Sequence, residues 1–182
     1  MILGLDISTS ITGVAIVVDG ELIYYDSIDL RKYKDVFVKS VQMKERLLDL
    51  FEMYQCDDKI HSSIEHIFIE QPFTFFNSGG SSAKTMASLQ RFNGIVSWMI
   101  YELFEIKPEY IGATQARKLC GIKVPRGQKA KQVVLEHLLK TEKAFKVEYT
   151  RHDNPKPESF DRADAIIIAK AGYEIIKKKL DD

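Results

Sequence analysis

The chain has 182 residues, with 26 basic and 26 acidic side chains, 45% apolar and 29% charged overall. That length supports one substantial hydrophobic core, so a single domain over residues 1–182 is expected. Zero formal net charge excludes a global pull toward nucleic acid or membrane, so any polyanionic partner has to be met by a local patch.

Ile2, Leu3, Leu5 and Ile7 form a short apolar run that reads as a buried strand over residues 2–8, with Asp6 inside it. Asp6 breaks the run and no basic segment precedes it, so a signal peptide is not expected. The segment "ITGVAIVVDGELIYYDSIDL" holds two β-rich stretches joined by Asp19-Gly20, a strong hairpin signal. Three antiparallel strands therefore open the chain. Val41, Leu47, Leu48, Phe51 and Tyr54 recur at helical spacing and predict a helix from Val36 to Tyr54.

"IEHIFIE", residues 64–70, is a fourth strand that ends on Glu70, and Pro72 stops it because proline cannot donate to a ladder. "FNSGGSS" is a loop. A long helix from Ser82 to Phe104 carries Met86, Leu89, Phe92, Ile95, Val96, Trp98, Met99 and Ile100, and a short strand follows near Tyr110–Ile111. "ATQARKLCGIKVPRGQKAKQ" is basic, residues 128–141 read as helix, "RHDNPKPESF" as a polar loop, and "DRADAIIIAKAGYEIIKKK" as the closing helix.

The order β-β-β-α-β-α-β-α-α predicts an α/β fold: a mixed five-stranded sheet, three antiparallel strands then two parallel ones, flanked by helices. No stretch reaches the roughly 18 unbroken apolar residues of a spanning helix. Cys56 and Cys120 stand in no metal-ligand spacing and read as reduced thiols. A cytoplasmic protein without a membrane partner is expected.

A lone carboxylate in a buried strand is costly unless a partner, a proton or a metal compensates it. Asp6 is the hardest of the acids to explain as structure. Glu70 at a strand end could be a solvated edge residue. Asp161 and Asp164, three apart on the last helix, project about 60° apart and repel unless a cation lies between them. Acidic side chains are also favoured in the first turns of a helix, which is the competing explanation for this pair. If strands one and four are neighbours, Asp6 and Glu70 come together and the last helix can add the other two acids. Such a set describes a site for hard divalent cations, and two ions about 4 Å apart can act on a phosphodiester.

"GLDISTSITGVAIV", "IEQPF" and "DRADAIIIA", taken together, resemble the RuvC family of Holliday-junction resolvases, within the ribonuclease H-like superfamily. The combination carries the resemblance, since any single piece is weak. It implies a ribonuclease H-like sheet, with Asp6, Glu70, Asp161 and Asp164 as catalytic, metal-binding acids using Mg²⁺ or Mn²⁺, two ions per site. It also implies a homodimer that cuts opposed strands of a four-way DNA junction symmetrically, leaving a 5′-phosphate and a 3′-hydroxyl. The helix over 82–104 would contribute to dimerisation, and Phe73 would stack on bases near the crossover. Phe75 and Phe76 read from the sequence as an aromatic cluster beside the glycine-rich loop, and the competing reading is that one or two of the three cap the core.

Between Lys107 and Lys131 lie Lys107, Arg117, Lys118, Lys123, Arg126, Lys129 and Lys131, against one acid, Glu109. A charge run is usually a solvated helix face. Beside an acidic site that needs a polyanionic substrate, these residues become candidates for phosphate contact. His152 lies in a loop and reads as solvent-exposed, so no dedicated proton-transfer histidine accompanies the acids.

Other readings remain open. The opening segment is also similar to the phosphate-binding start of actin-like sugar kinases, but the chain has no second lobe's length and no glycine-rich nucleotide motif. A ribonuclease H acting on RNA–DNA hybrids shares the fold and most of the acids, and a non-catalytic binder of branched DNA would need only the basic segment. The lysine- and isoleucine-rich composition resembles phage-encoded and low-GC Gram-positive members, and a phage-encoded protein would act in the bacterial host cytoplasm.

Overall fold

The computed structural model describes residues 1–55, 64–72 and 83–181. Five strands form one sheet: β1 (Ile2–Asp6), β2 (Ile11–Val18), β3 (Glu21–Asp29), β4 (His66–Glu70) and β5 (Glu109–Ile111). Their order across the sheet is β3-β2-β1-β4-β5. β1, β2 and β3 pair antiparallel, whereas β4 runs parallel to both β1 and β5. This is the predicted mixed arrangement. The β2–β3 hairpin turns on Asp19 (φ 50°) and Gly20 (φ 84°), and two successive positive φ values are what a tight type I′ turn requires.

Among the described residues, five helices flank the sheet: α1 (Val36–Gln55), α2 (Ala83–Phe104), α3 (Ala113–Leu119), α4 (Ala130–Thr141) and α5 (Pro157–Asp181). Asp35 caps α1, its Oδ1 accepting from the N–H groups of Phe37 at 2.9 Å and Val38 at 3.1 Å. Several boundaries differ from expectation, and β1 ends at Asp6, which closes the strand instead of lying inside one that runs to residue 8. α3 forms inside the basic segment, and α5 begins at Pro157, within the stretch read as loop. Proline suits the first turn of a helix because its missing N–H would be unpaired there anyway.

The sheet divides the core in two, following the two-residue alternation of strands. Leu3 and Leu5 of β1 and Ile67 and Ile69 of β4 pack toward α1 and α2, against Met43, Leu47, Phe92, Val96 and Ile100. Ile2 and Phe68 pack on the opposite face, with Ala165, Ile166 and Ala169 of α5 and Val134, Leu135 and Leu138 of α4. Val41 and Trp98, expected among the apolar faces of their helices, are 54% and 61% exposed.

α5 lies very close to the sheet. A Cβ on Gly4 would sit 2.5 Å from the Ala169 nitrogen, and one on Gly13 only 1.9 Å from the Asp161 carbonyl oxygen. Glycine at both positions, opposite the alanines of α5, makes that approach possible. Among the described residues, no helix is long and apolar enough to cross a membrane.

Candidate active site

Asp6 is the last residue of β1 and Glu70 the last of β4. The two strands are parallel neighbours, with Leu5 beside Ile69, so both acids leave the sheet at the same end. Both belong to the face that packs on α5, given the alternation with Leu5 and Ile69. α5 then delivers Asp164. One carboxylate oxygen from each of Asp6, Glu70 and Asp164 lies within 4.8 Å of the others.

Asp161, one turn earlier on α5, stands outside that tight group and is joined to it through Lys131. The Lys131 Nζ lies 3.2 Å from Asp161 Oδ1 and 3.2 Å from Asp164 Oδ2. All five charged groups line a cleft of about 170 Å³, together with Ile7, Ser8, Gln71, Pro72 and Leu89.

Crowding carboxylates in a partly desolvated cleft raises their proton affinity. Burial, followed by the charges of Glu70 and Asp164, pushes Asp6 well above the ordinary carboxylate range. Glu70 is pushed up to about 7, by burial first and then by Asp164. Burial also raises Asp161 and Asp164, with Lys131 opposing it in both. Burial disfavours the Lys131 ammonium, but Asp164, Asp161 and Asp6 more than reverse that and hold it charged.

The surroundings of the cleft are firmly tied. Thr12, fully buried, donates its hydroxyl to the Ser8 carbonyl at 3.1 Å and accepts from the Ser8 N–H at 3.3 Å. Lys39 donates to the Thr9 carbonyl in the same β1–β2 turn. At the start of α5, Arg162 bonds Ser27 Oγ at 3.0 Å and Glu148 at 2.9 Å. Arg31 ties Glu158 to Asp29. These contacts fix where α5 begins, and therefore where Asp161 and Asp164 point.

The basic residues divide into groups. Arg117, Lys118 and Lys123 line a second cleft of about 330 Å³ with Thr114, Gly121, Ile122 and Val124. Arg117, held by Thr114 Oγ1 at 3.1 Å, lies near enough to the acids for its charge to lower the proton affinity of Glu70 and Asp164. Arg126 and Lys129 are exposed in the approach to α4, and Lys107 is exposed beyond α2. Lys131, grouped in the sequence with the candidates for phosphate contact, sits among the acids.

Phe73, Phe75 and Phe76 lie outside the described residues, as does Cys56. His152 is exposed, its Nε2 accepting from Arg151 Nε at 3.0 Å, and it does not line the acidic cleft. The Cys120 thiol, pushed up to about 12 chiefly by burial, donates to the Ile167 carbonyl at 3.6 Å. Both effects favour the protonated thiol over the thiolate. The sequence reading missed Lys131 as a partner of the acids, and nothing local could have revealed a contact across 30 residues. It also missed Gly4 and Gly13, although the alanines on α5 were the matching half of that signal.

Among solved structures, the chain is similar to Thermus thermophilus RuvC in complex with Holliday junction substrate. The TM-score is 0.65 at 15% identity, over 97% of this chain and 94% of that one. It is similar to another Thermus thermophilus RuvC structure, with a TM-score of 0.62 at 16% identity over 98% and 96% of the two chains. The yeast mitochondrial Holliday junction resolvase Ydc2 is also similar, with a TM-score of 0.54 at 12% identity over 98% and 83%. No protein-family model matches the chain, and no curated protein matches it in sequence. The shared feature at such identities is the fold, and it extends along nearly the whole chain. The chain therefore has the mixed α/β, ribonuclease H-like fold of RuvC.

Proposed function

We propose that this single-domain chain is a structure-selective DNA endonuclease that resolves four-way junctions, and other branched DNA, by divalent-metal-dependent hydrolysis of phosphodiesters. One observation carries the reading. Asp6, Glu70 and Asp164 meet within 4.8 Å in a cleft of a fold that RuvC also has, and a RuvC structure holds a Holliday junction substrate.

The donor set fits a hard divalent cation. Among the described residues it is all carboxylate oxygen, with no thiolate or imidazole to favour a softer metal, and its mutual repulsion is relieved by positive charge. Asp6, Glu70, Asp164 and Asp161 would hold Mg²⁺ or Mn²⁺, two ions per site. When bound, such ions activate a water and stabilise the leaving oxygen of a phosphodiester.

The chain's own residues supply orientation and substrate affinity. Asp6 and Glu70 sit at the ends of paired strands, so their carboxylates are positioned before substrate arrives. Arg117, Lys118, Lys123, Arg126 and Lys129 offer charge to backbone phosphates, and Phe73 offers a stacking surface to an unpaired base. Symmetric nicks call for a two-fold homodimer. The outer face of α2, where exposed Trp98 and Tyr101 pack with ring centroids 5.8 Å apart, is the surface we assign to it.

The test is cleavage of a labelled immobile four-way junction in Mg²⁺, beside linear duplex, a flap and an RNA–DNA hybrid, with Asp6→Asn as control. Paired symmetric nicks in the junction, lost in the variant, are expected. Cutting confined to the hybrid would make the protein a ribonuclease H. Junction binding without cutting in Mg²⁺ or Mn²⁺ would make it a branched-DNA binder.

A further inference from the structure

Lys131 stands out because the acids could have been left to solvent and metal alone. α4 packs on α5 through Val134, Leu135 and Leu138, all buried. Lys131 lies three and four residues before Val134 and Leu135, so the same helix face carries it toward α5. Its amine lies 3.2 Å from Asp161 and 3.2 Å from Asp164, and it lines the cleft that holds all four carboxylates. An ammonium is a compact point charge with three donors, here turned on two carboxylates at equal distance.

We infer that Lys131 is a built-in counter-cation: it neutralises the Asp161–Asp164 end of the cleft in the metal-free protein and is displaced when a divalent cation enters. The inference rests on the reading of these acids as a cation site. Its physical basis is charge balance. Four converging carboxylates and one bridging ammonium leave an excess of negative charge, and one compact cation already occupies the mouth of the group. A divalent ion brings twice the charge to the same oxygens, and Lys131 cannot then keep both of its contacts. Metal binding is weakened by the lysine it has to displace, and the metal-free fold is stabilised by that same contact.

The experiment uses DNA-free protein at fixed pH and compares wild type, Lys131→Met and Lys123→Met. Lys123→Met removes the same charge outside the acidic cleft. Mn²⁺ binding is followed by electron paramagnetic resonance, and thermal unfolding in EDTA or Ca²⁺ by circular dichroism. Lys131→Met is expected to bind Mn²⁺ about tenfold more tightly, within the usual range of coupling between sites. It is also expected to melt lower in EDTA and to gain more from Ca²⁺ than wild type. Lys123→Met should match wild type in both.

A second measurement needs no variant. The Lys131 amine should become more reactive to acetic anhydride when Ca²⁺ is added, read by peptide mass spectrometry. Equal Mn²⁺ affinity in wild type and Lys131→Met, or unchanged Lys131 reactivity, would overturn the displacement while leaving the cation site intact. No Mn²⁺ binding to any of the three proteins would overturn both.

Discussion

At the residue scale, burial and neighbouring charge raise the proton affinity of the Asp6 and Glu70 carboxylates. Asp6→Asn keeps the size and most hydrogen-bonding capacity of the side chain while removing its charge. On the proposed reading, junction cleavage falls by a hundredfold or more, on the order seen when a group stabilising transition-state charge is removed. Thermal stability in EDTA holds or rises, because a buried, mutually repelling charge is gone. A variant that unfolds instead would make Asp6 structural. Glu70 gives a pH prediction. Its ordinary value is 4.5 and in the fold it is pushed up to about 7, by burial and then by Asp164. The folded chain thus holds this proton more tightly than the unfolded chain. Its contribution to stability is full below the ordinary value and is lost as pH rises through about 7. Melting of the metal-free protein should therefore fall between about pH 5 and 7.5, and Mg²⁺ should raise the melting temperature more near pH 8 than near pH 5. Glu70→Gln should flatten the EDTA profile. A wild-type profile already flat over that window would refute the assignment.

At the element scale, the position of α5 decides whether its acids reach the strand ends. A Cβ at Gly13 would meet backbone, the Asp161 carbonyl oxygen at 1.9 Å, and backbone cannot swing aside as a long side chain can. Gly13→Ala should cost about 1–3 kcal/mol by overpacking. Where it still folds, displacement of Asp161 should lower cleavage by on the order of a hundredfold, the usual penalty for misplacing a reacting group by about 1 Å. Gly94→Ala is the contrast for stability: with nothing within 4 Å in its own chain, in the middle of α2, it should leave the melt unchanged or raise it. Denaturant melts of both variants, with nicking rates for Gly13→Ala, decide the matter. The hairpin and the end of the fourth strand were legible because Asp19-Gly20 and Pro72 mark them, whereas the end of β1 at Asp6 was hidden by Ile7, which prolongs the apolar run. The convergence of Asp6 with Glu70 was legible on the condition that strands one and four are neighbours, which their parallel pairing meets. α3 was not. Seven residues span too few turns to show a helical period, and its arginine and lysine read as part of a charge run. The start of α5 was hidden by prolines that signal loop in sequence yet open a helix in the fold. The contact of Lys131 with the acids depends on how α4 lies against α5, which no local pattern records.

At the scale of the whole molecule, the proposed function asks a neutral protein to bind a polyanion through a minority of its surface. Formal charge is zero, so the non-specific attraction of a basic protein is absent and only local contacts contribute. The cleft lined by Arg117, Lys118 and Lys123 is one such place, and Arg117 lies near enough to the acids to influence Glu70 and Asp164. Each phosphate neutralised on duplex DNA releases counterions and adds about 0.9 to the slope of log affinity against log salt. If Lys118 and Lys123 each contact one phosphate, each change to alanine should reduce that slope by about 0.9, and the double variant by about 1.8. Lys131 should behave differently in the absence of metal. Its amine is held by Asp161 and Asp164, so Lys131→Ala should leave the slope in EDTA near wild type. Junction affinity measured by fluorescence anisotropy across a salt series separates the two cases. A slope that falls for Lys131 and not for Lys118 or Lys123 would move the DNA path off the α3 cleft and onto the mouth of the acidic cleft itself.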